Sequence, residues 1–521
     1  MTRRQLPIGI QDFRTIREQD FYYVDKTSHI QRLVSQGRYY FLSRPRRFGK
    51  SLLVDTLREL FEGNEPLFRG LDIHDHWDWS IGHPVVRLSF GGKYDSPDDI
   101  DGDILDQLEM AERQAGLEPT QSSVTAPRRL RTLLDRLHRA TGRQAVVLVD
   151  EYDKPILDVI DNPEMATANR NYLRGFYGII KDSARDVRFV FVTGVSMFSR
   201  VSLFSGLNNL MNISLNPEFA TICGYTDTDL DTVFAPELPG LDRDEIRQWY
   251  NGYHWLGEEK LYNPFDLLLL FNSRNFEPHW FETGSPTFLF RMMMDREVSP
   301  MELEHRSTDA RQLSRFDVDD IGIEALLFQT GYLTITAEER RGPRTLYTLD
   351  YPNFEVLQSL NDGLLGYING PENGIADHGD ELGRLLATND FEGFAEHLRS
   401  FFAGIPYQWQ GTNSPARYEA WYAGMLYACF RTIGLDLRVE DSSGRGRADM
   451  VALHAGQVFV FEFKMADGKG DSDSVAQQAI DQIQEKGYAE KYRDRGEPVH
   501  LVGVAFSGDD RNLAAVKVVS S

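Results

Sequence analysis

Over the first 215 residues, short apolar runs alternate with stretches in which apolar residues recur at helical spacing. β-branched and aromatic residues dominate the runs, which predicts strands. The predicted strands cover residues 39–42, 84–90, 145–149, 187–194 and 211–215. Residues 128–139 and 168–183 are predicted helices, whereas 96–109 is acidic and rich in turn formers and is predicted to be a surface excursion. Strands that alternate with helices predict a parallel α/β sheet, with ligands outside the carboxyl ends of its strands.

The pattern becomes mostly helical between residues 216 and 385. Three helices and the two strands of a hairpin are predicted there, at 242–250, 263–271, 323–330, 332–335 and 346–349. A helix followed by a hairpin indicates a winged-helix-like lid. The hairpin turn carries Arg340, Arg341 and Arg344. We interpret it as a solvated tip, with contact to nucleic acid as the alternative.

From about residue 390 the chain changes character again. The elements predicted there, two helices and four strands, cover residues 415–431, 436–440, 446–453, 458–464, 476–488 and 499–506. The preceding residues 370–383 are polar, acidic and rich in Gly, which predicts a flexible boundary. We therefore expect three regions: an α/β region at 1–215, a helical or winged-helix-like region at 216–385, and a second α/β region at 386–521.

The segment Ser43–Ser51 lies between the strand at 39–42 and the next predicted helix, and it ends in Gly-Lys-Ser. In this context backbone N–H groups and the helix N-terminus would hold phosphates. Lys50 would reach the β- and γ-phosphates, and the Ser51 hydroxyl would ligate Mg²⁺. Arg44 stands where the general pattern G-x-x-x-x-G-K-[ST] has its first Gly. Because Gly permits torsions that Arg resists, a strand-to-helix turn without a ligand is the alternative.

The strand at 145–149 ends in two carboxylates, Asp150 and Glu151. An Asp at this place holds Mg²⁺ in phosphate-loop NTPases, and a following Glu is placed to orient and deprotonate the attacking water. The alternative is a core strand that leaves the sheet at Asp150. Together with the Gly-Lys-Ser segment, the two carboxylates predict that the chain binds a nucleoside triphosphate.

Two further candidate residues lie in or after the strand predicted at 187–194. Thr193 at the strand tip is predicted to sense the γ-phosphate, and a hydroxyl that caps the following turn is the alternative. Arg200 is interpreted as an ordinary surface or phosphate-facing residue, with an arginine finger on a neighbouring subunit as the alternative. These residues do not determine the oligomeric state, and a homo-oligomer is one of the alternatives.

A second candidate site lies in the C-terminal region. Asp449 enters the first strand of a predicted hairpin, and Glu462 and Lys464 alternate along the second strand, so that both project from one face. The two carboxylates would hold Mg²⁺ through oxygen ligands, and Lys464 would orient water or stabilise charge on a phosphate. A solvated cross-strand pair is the alternative. It is disfavoured because both charges interrupt an apolar, Phe-rich strand, where an unpaired charge is costly.

Composition narrows the class of protein without naming an activity. The chain has 521 residues, too many for one ordinary core. Its formal charge of −23 argues against a protein that coats nucleic acid with its whole surface, but not against a local basic channel. The two cysteines, Cys223 and Cys429, lie outside any metal-ligand spacing. Two isolated cysteines are typical of reduced thiols in a cytoplasmic protein, and the absence of an apolar run of membrane-spanning length predicts a non-membrane protein.

These features together resemble one family, the bacterial and archaeal AAA-ATPase-like proteins that carry a C-terminal PD-(D/E)XK nuclease-superfamily domain. In the N-terminal half the resemblance rests on four segments, Tyr22–Thr27, Arg44–Ser51, Asp150–Glu151 and Phe204–Asn209. The phosphate loop of that family begins Arg-Pro-Arg-Arg-Phe-Gly-Lys, so the resemblance makes Arg44 an expected residue.

In the C-terminal half, Asp449, Glu462 and Lys464 match the metal acids and the lysine of the nuclease motif. Gln482 matches the polar position of the next helix, and Glu419 is similar to an additional helix carboxylate of the superfamily. The Pro of the motif name is Ala448 in this chain, a departure at a position without a ligand. The resemblance implies a P-loop NTPase sheet, a helical or winged-helix-like middle and a C-terminal α/β restriction-endonuclease-like domain.

The resemblance implies a cytoplasmic ATP-dependent nuclease or nucleic-acid-processing ATPase, with DNA as its target in preference to RNA. ATP would bind across Arg46, Arg47, Phe48, Gly49, Lys50 and Ser51, with Thr193 nearby. One Mg²⁺ would lie at Ser51 and Asp150 and another at Asp449 and Glu462, with Glu151 as the base of ATP hydrolysis. Two alternatives stay open: a nucleotide-gated switch or scaffold that binds nucleic acid or a partner without cleavage, and a small-molecule kinase, which would leave the second carboxylate site without a purpose.

Overall fold

A computed structural model describes most of the chain. The described residues are 3–120, 124–197, 207, 209–279, 287–313, 321–369, 375–405, 415–443, 446–466 and 472–520. The chain forms two compact units. The first consists of Met1–His279 with Ser307–Asn353, and the second of Trp280–Arg306 with Phe354–Ser521.

The described helices and strands follow in chain order. The strands are β1 Tyr39–Ser43, β2 Val85–Ser89, β3 Ala145–Asp150, β4 Val187–Gly194, β5 Met211–Asn212, β6 Arg306–Asp309, β7 Thr334–Arg341, β8 Arg344–Asp350, β9 Asp436–Ser443, β10 Gly446–His454, β11 Gln457–Ala466, β12 Val499–Ser507 and β13 Asn512–Ser520. The helices are α1 Phe13–Glu18, α2 Thr27–Gln36, α3 Lys50–Glu62, α4 Pro97–Gln114, α5 Ala126–Thr141, α6 Lys154–Leu157, α7 Pro163–Asp182, α8 Asp227–Thr232, α9 Arg243–Tyr250, α10 Pro264–Ser273, α11 Thr287–Asp295, α12 Ala310–Leu313, α13 Ile323–Thr330, α14 Phe354–Asn369, α15 Ile375–Ala387, α16 Phe391–Ala403, α17 Pro415–Thr432, α18 Ser472–Lys486 and α19 Glu490–Arg493.

The first unit is built around a five-stranded sheet in the order β2-β3-β4-β1-β5. The paired strands run parallel, so the carboxyl ends of β1, β3 and β4 lie at one edge of the sheet. Every residue of β3 is buried, as expected for a central strand covered on both faces. The predicted parallel α/β sheet is confirmed. It places the phosphate loop, which follows β1, on the same edge as the carboxylates that end β3.

The predicted surface excursion at 96–109 is wrong, because these residues belong to α4. Ser96 caps the helix by accepting a hydrogen bond from the Asp99 N–H, and Pro97 occupies the first turn. Ile100, Ile104 and Leu108 recur every four residues and are buried. The many acidic residues hide this apolar stripe, although acidic groups in the first turn favour a helix through its dipole.

The rest of the first unit follows the predicted pattern closely. The predicted helices at 242–250, 263–271 and 323–330 correspond to α9, α10 and α13, and α13 is followed by the antiparallel hairpin β7–β8. The arginine-bearing turn of the hairpin is exposed, and Arg341 pairs with Glu339. In the helical part, an apolar cluster joins α8, α9 and α10 to Tyr22 and Val24, which precede the sheet.

The second unit contains a mixed sheet in the order β13-β12-β11-β10-β9. Strand β11 runs antiparallel to β10 and parallel to β12. On one face, Val458 and Val460 pack in a cluster with Ile480 and Ile483 of α18. On the other, the ring of Phe461 lies near those of Phe394 of α16 and Phe430 of α17. Helices therefore cover both faces of the strand that carries Glu462 and Lys464.

Several features of this unit differ from the sequence expectation or were missed, among them the helices α16 and α19. Residues 375–383 of the predicted flexible boundary form the first part of α15, where Leu382, Leu385 and Leu386 are buried. Residues 370–374 lie outside the described part of the chain. The edge strand β13 was not predicted from the sequence. It pairs antiparallel with β12.

None of the helices within the described residues combines the length and apolar character that a membrane span requires. The observation agrees with the absence of long apolar runs in the sequence.

Helix α18 packs closely on β12, next to the strand that carries Glu462. Gly503 of β12 pairs with Glu462 of β11, and a Cβ on Gly503 would lie 2.2 Å from the Ala476 carbonyl oxygen of α18. We predict that Gly503→Ala lowers the free energy of unfolding of this unit by about 1–3 kcal/mol, because α18 must shift. Gly508→Ala is the control, since only the Met465 methyl lies within 4 Å of the added Cβ, at 3.6 Å. Equal denaturant stability of the two variants would contradict the prediction.

Candidate functional sites

The loop between β1 and α3 has the backbone geometry of an anion site. Gly49 adopts a left-handed conformation, with φ of 86°, immediately before α3 begins at Lys50. Arg47 within the loop also has a positive φ, 65°. The first N–H groups of a helix lack partners inside the helix, and with the helix dipole they attract anions. The predicted order of strand, loop and helix is confirmed.

The side chain of Lys50 is folded back into this loop. It is buried, and its Nζ donates hydrogen bonds to the carbonyl oxygens of Arg44 and Pro45 at 3.0 and 2.8 Å. Burial lowers the pKa of Lys50, and the nearby carboxylates of Asp150 and Asp153 oppose this shift. The ammonium group is thus held by neutral carbonyls at the loop, where a phosphate would offer charged acceptors.

Two carboxylates stand at the end of β3. Asp150 is buried, and its Oδ1 accepts a hydrogen bond from the Glu151 N–H at 3.0 Å. Glu151 is half-buried with φ of 53°, and burial together with the charge of Asp150 raises its pKa. A carboxylate with a raised pKa is a better proton acceptor than an ordinary surface Glu. The charge of Lys50 acts on Glu151 in the opposite direction.

Thr193, at the end of β4 between these two groups of residues, is fully buried. Its hydroxyl donates to the Leu42 carbonyl oxygen of β1 at 2.8 Å. This bond joins β4 to β1 at the edge where the loop begins. The predicted contact of Thr193 with a γ-phosphate stays a prediction.

Arg44 is a structural anchor of the loop. Its guanidinium is buried, and it donates to the carbonyl oxygens of Ser214, Phe219 and Ala220 at 2.8–3.3 Å. The same group lies 4.2 Å from the centre of the Trp255 ring. Burial lowers the pKa of Arg44 to about 10. Arg44 therefore replaces the first Gly of the general pattern with a side chain that binds the start of the loop to residues 214–220.

The remaining loop side chains have different surroundings. Phe48 is buried, with its ring 4.7 and 5.2 Å from the rings of Tyr253 and Trp255. The Arg47 guanidinium lies 3.9 Å from the centre of the Phe265 ring. Arg46 is exposed and Ser51 is half-buried. Only Arg46 among the loop arginines is exposed.

Sequence reasoning missed Asp153, which organises the loop after β4. It is buried and accepts hydrogen bonds from the backbone N–H groups of Val195 and Ser196 and from the Ser196 hydroxyl. Gly194 gives Asp153 room, since a Cβ there would lie 2.2 Å from Asp153 Oδ1. The available signal was the third carboxylate of Asp-Glu-Tyr-Asp at residues 150–153, directly after a buried strand.

In the second unit, β10 and β11 bring Asp449 and Glu462 together. The register pairs Met450 with Phe461, so Asp449 lies opposite Glu462 on the same face of the sheet. The Asp449 Oδ2 accepts a hydrogen bond from the Phe463 N–H at 2.9 Å, which fixes the carboxylate beside β11. Burial raises the pKa of Asp449.

Glu462 is the most strongly perturbed group of this cluster. The residue is 3 % exposed; its Oε1 accepts a hydrogen bond from the Gln482 amide. Among the residues that the structure describes, its buried Oε2 has no hydrogen-bond partner. Burial and the charge of Asp449 raise the pKa of Glu462 to about 8. A buried carboxylate oxygen without a partner is costly, and a cation beside Asp449 would remove that cost.

Gln482 of α18 connects the two charged groups of β11. Its Oε1 accepts a hydrogen bond from Lys464 Nζ at 2.7 Å, while its amide nitrogen donates to Glu462. Burial raises the pKa of Glu419 of α17, and the charge of Asp449 raises it further. Glu419 therefore lies within electrostatic range of the cluster. The structure thus brings together the three sequence-predicted residues Asp449, Glu462 and Lys464.

The carboxylates of Asp449 and Glu462 can hold a divalent cation only if further oxygen ligands complete its coordination. Within the described residues, no group of three His, Cys, Asp or Glu side chains is arranged to hold a metal. Asp449 and Glu462 supply two carboxylates, and Mg²⁺ commonly completes its six ligands with water and substrate phosphate oxygens. The free Glu462 Oε2 fits such a cation.

Comparison with known proteins identifies two domain families in the chain. A family model described as predicted AAA-ATPase matches residues 7–204, and one described as PD-(D/E)XK nuclease superfamily matches residues 417–516. A protein of Azotobacter chroococcum mcd 1, described as an uncharacterized protein in the vnfD 5′ region, is 52% identical over 523 residues and covers the whole of both chains. The chain belongs to the AAA-ATPase-like family with a C-terminal PD-(D/E)XK nuclease-superfamily domain.

This AAA-ATPase-like protein therefore combines an ATPase-like domain with a nuclease-superfamily domain. Domains of these two kinds typically use a nucleotide and a divalent metal. The loop at Lys50 lies inside the first match and the Asp449 cluster inside the second. Arg200 lies outside the described residues, as do residues 204–206 and 208 of the block at 204–209, so the structure does not test these predictions.

We predict that Arg44→Gly, which restores the general phosphate-loop pattern, destabilises the first unit by about 3 kcal/mol or more. The change leaves buried carbonyl groups without donors and a cavity beside Trp255. Arg46→Gly in the same loop is the control, because Arg46 is exposed. Thermal unfolding measures the stability of both variants, and a binding assay measures their affinity for ATP. An Arg44→Gly variant of unchanged stability that binds ATP more tightly would contradict the structural role of Arg44.

The raised pKa of Glu462 predicts that metal binding displaces a proton. With a pKa of about 8, Glu462 is mostly protonated at about pH 7 in the metal-free protein. Because a cation binds the carboxylate form, we expect Mn²⁺ binding at about pH 7 to release close to one proton. Affinity should rise as the pH rises toward 8. Calorimetry in buffers of different ionisation enthalpy measures the release. Glu462→Gln is the control that should release none, and equal release by both proteins would refute the assignment.

Proposed function

We propose that this protein binds and hydrolyses ATP and that its C-terminal domain is a Mg²⁺-dependent nuclease, with DNA favoured over RNA as substrate. The observation that carries the nuclease part is the buried, unpartnered Oε2 of Glu462 beside Asp449, with Lys464 joined to the same cluster through Gln482. The family membership supports both parts.

For ATP, the phosphates would lie on the backbone N–H groups of residues 46–51 at the start of α3. Lys50 Nζ would exchange the carbonyls of Arg44 and Pro45 for β- and γ-phosphate oxygens. Ser51 and Asp150 would hold Mg²⁺, and Glu151 would accept a proton from the attacking water. The raised pKa of Glu151 supports this role, because proton transfer is most efficient near the working pH.

For the nucleic acid, Asp449 and Glu462 would hold Mg²⁺, which polarises the scissile phosphate and lowers the pKa of bound water. Lys464 would orient the attacking water or stabilise the charge that develops on the phosphate. Water adds its oxygen to phosphorus, one P–O ester bond breaks, and a proton passes to the departing alkoxide. Gln482 keeps Lys464 and Glu462 in fixed relative positions through its two hydrogen bonds.

The experiment measures cleavage of DNA and RNA, single- and double-stranded, with and without ATP. We expect Glu462→Gln and Lys464→Ala to lose cleavage by about 100-fold or more and to retain ATP hydrolysis. Lys50→Ala should lose ATP hydrolysis by a similar factor. Glu485→Gln on α18 and Lys260→Ala, both exposed, are the matched controls.

Each half of the proposal has its own contradicting result. Unchanged ATP hydrolysis in Lys50→Ala would remove the ATPase half. No cleavage of any substrate by the wild-type protein with Mg²⁺ or Mn²⁺ would remove the nuclease half. In that case, nucleotide-dependent binding of nucleic acid or a partner would support the alternative hypothesis of a switch or scaffold.

A further inference from the structure

The segment 194–197, at the end of β4, joins the two halves of the proposed ATP site. At the start of the phosphate loop, the Arg44 N–H donates a hydrogen bond to the Gly194 carbonyl oxygen at 3.2 Å. Directly after the carboxylates that end β3, the Tyr152 hydroxyl donates to the Ser196 carbonyl oxygen at 2.8 Å. The segment is therefore bonded both to the loop that would hold the phosphates and to the turn that follows the two carboxylates.

Asp153 holds the same segment and interacts electrostatically with Lys50. Its carboxylate accepts hydrogen bonds from the N–H groups of Val195 and Ser196 at 3.1 and 2.6 Å. Burial raises the pKa of Asp153, and the charge of Lys50 opposes this shift. A displacement of the segment would therefore also move a carboxylate that acts on Lys50.

Helix α13 fixes the other end of the segment through Gln329. This residue is 2 % exposed, and its Oε1 accepts a hydrogen bond from the Met197 N–H at 2.7 Å. Its amide nitrogen donates to the carbonyl oxygen of Leu313, the last residue of α12, at 2.9 Å. Burial of an amide is costly unless its polar groups are hydrogen-bonded. Both groups of Gln329 have backbone partners, so the side chain cannot release Met197 without leaving buried polar atoms unpaired.

The part of the chain that contains α13 also reaches the phosphate loop by a second route. Thr334, the first residue of β7, accepts a hydrogen bond from the His254 N–H at 2.8 Å through its hydroxyl. The residue after His254 is Trp255, and the centre of its ring lies 4.2 Å from the Arg44 guanidinium. Ser307–Asn353, which contains α13 and β7, belongs to the same compact unit as the parallel sheet. It therefore supports the proposed ATP site at two places.

We propose that Gln329 is a positioning residue for ATP hydrolysis. It fixes the Met197 N–H, and with it the segment that is bonded to Asp153 and to the start of the phosphate loop. The inference rests on the proposed ATPase activity. It extends the ATP site beyond residues 7–204, which the ATPase-like family model matches. The effect is on the rate, because small displacements of catalytic groups slow a reaction strongly.

The test compares steady-state ATP hydrolysis by the full chain and its variants, with kcat and KM measured separately. Gln329→Met keeps the approximate length of the side chain and removes both hydrogen bonds. We expect its kcat to fall by about 10-fold or more, because a misplacement of about 1 Å can cost about 100-fold. KM should stay within about 3-fold, since the backbone N–H groups that would bind the phosphates are unchanged.

Gln329→Glu gives a readout that a purely structural role would not change. A protonated Glu keeps both bonds, since its hydroxyl donates to the Leu313 carbonyl and its other oxygen accepts from the Met197 N–H, whereas the ionised form has no donor. We therefore expect the ratio of its kcat to that of the wild type to rise toward one as the pH falls from about 8 to about 5.5. Gln329→Met should show no such rise. If Gln329→Met does not fold, the ratio for Gln329→Glu alone decides.

Leu326→Ala on the same helix is the control for stability. Leu326 is buried, and its truncation destabilises the fold by leaving a cavity without removing a hydrogen bond to the segment 194–197. All variants are assayed at a temperature at which each remains folded. Under this condition Leu326→Ala should keep the wild-type kcat.

Three results would overturn the positioning role: a wild-type kcat in Gln329→Met, an equal loss of kcat in Leu326→Ala, or a Gln329→Glu ratio that does not rise at low pH. Each of them leaves the proposed function intact if the wild type hydrolyses ATP and Lys50→Ala does not. Absence of ATP hydrolysis by the wild type would overturn both. The two failures can therefore be distinguished.

Discussion

The cost of removing charge from water governs both candidate sites. Lys50 is buried on neutral carbonyls beside carboxylates, and Glu462 is buried with one oxygen unpartnered. A buried charge is tolerated only where partners or ligands replace the lost water. In the proposed function the ligand at each site has the opposite charge: a phosphate would bind Lys50 and a cation would bind Glu462. Both sites thus hold their charged groups in place before a ligand arrives, as preorganised electrostatic sites do.

The loop at residues 44–51 is held in place in this protein without the first Gly of the general phosphate-loop pattern. Arg44 binds the carbonyls of residues 214–220 and stacks on Trp255, while Phe48 packs on Tyr253 and Trp255. The loop is therefore braced by segments far away in the chain. Gly49 and Arg47 both have a left-handed backbone, so one of the two left-handed positions of the loop is held without a glycine.

The sequence predicted those features that depend on local pattern. Continuous apolar runs located β1, β3 and β4, and period-2 alternation placed Glu462 and Lys464 on one face. The acidic composition of α4 concealed its apolar stripe, and the edge strand β13 was not predicted. Tertiary partners were not predicted either. That Arg44 points into the core, that Asp153 holds residues 195–196, and that Glu462 Oε2 lacks a partner all depend on residues distant in sequence.

An experimental structure with Mn²⁺ and a non-hydrolysable ATP analogue would show whether the two sites bind these ligands, because anomalous scattering locates each metal ion. We predict one Mn²⁺ at Ser51 and Asp150 beside the γ-phosphate and another between Asp449 and Glu462 Oε2. We also predict that Lys50 Nζ has moved from the carbonyls of the loop to the phosphates. Metal peaks absent from both positions, with Lys50 still on those carbonyls, would contradict these predictions.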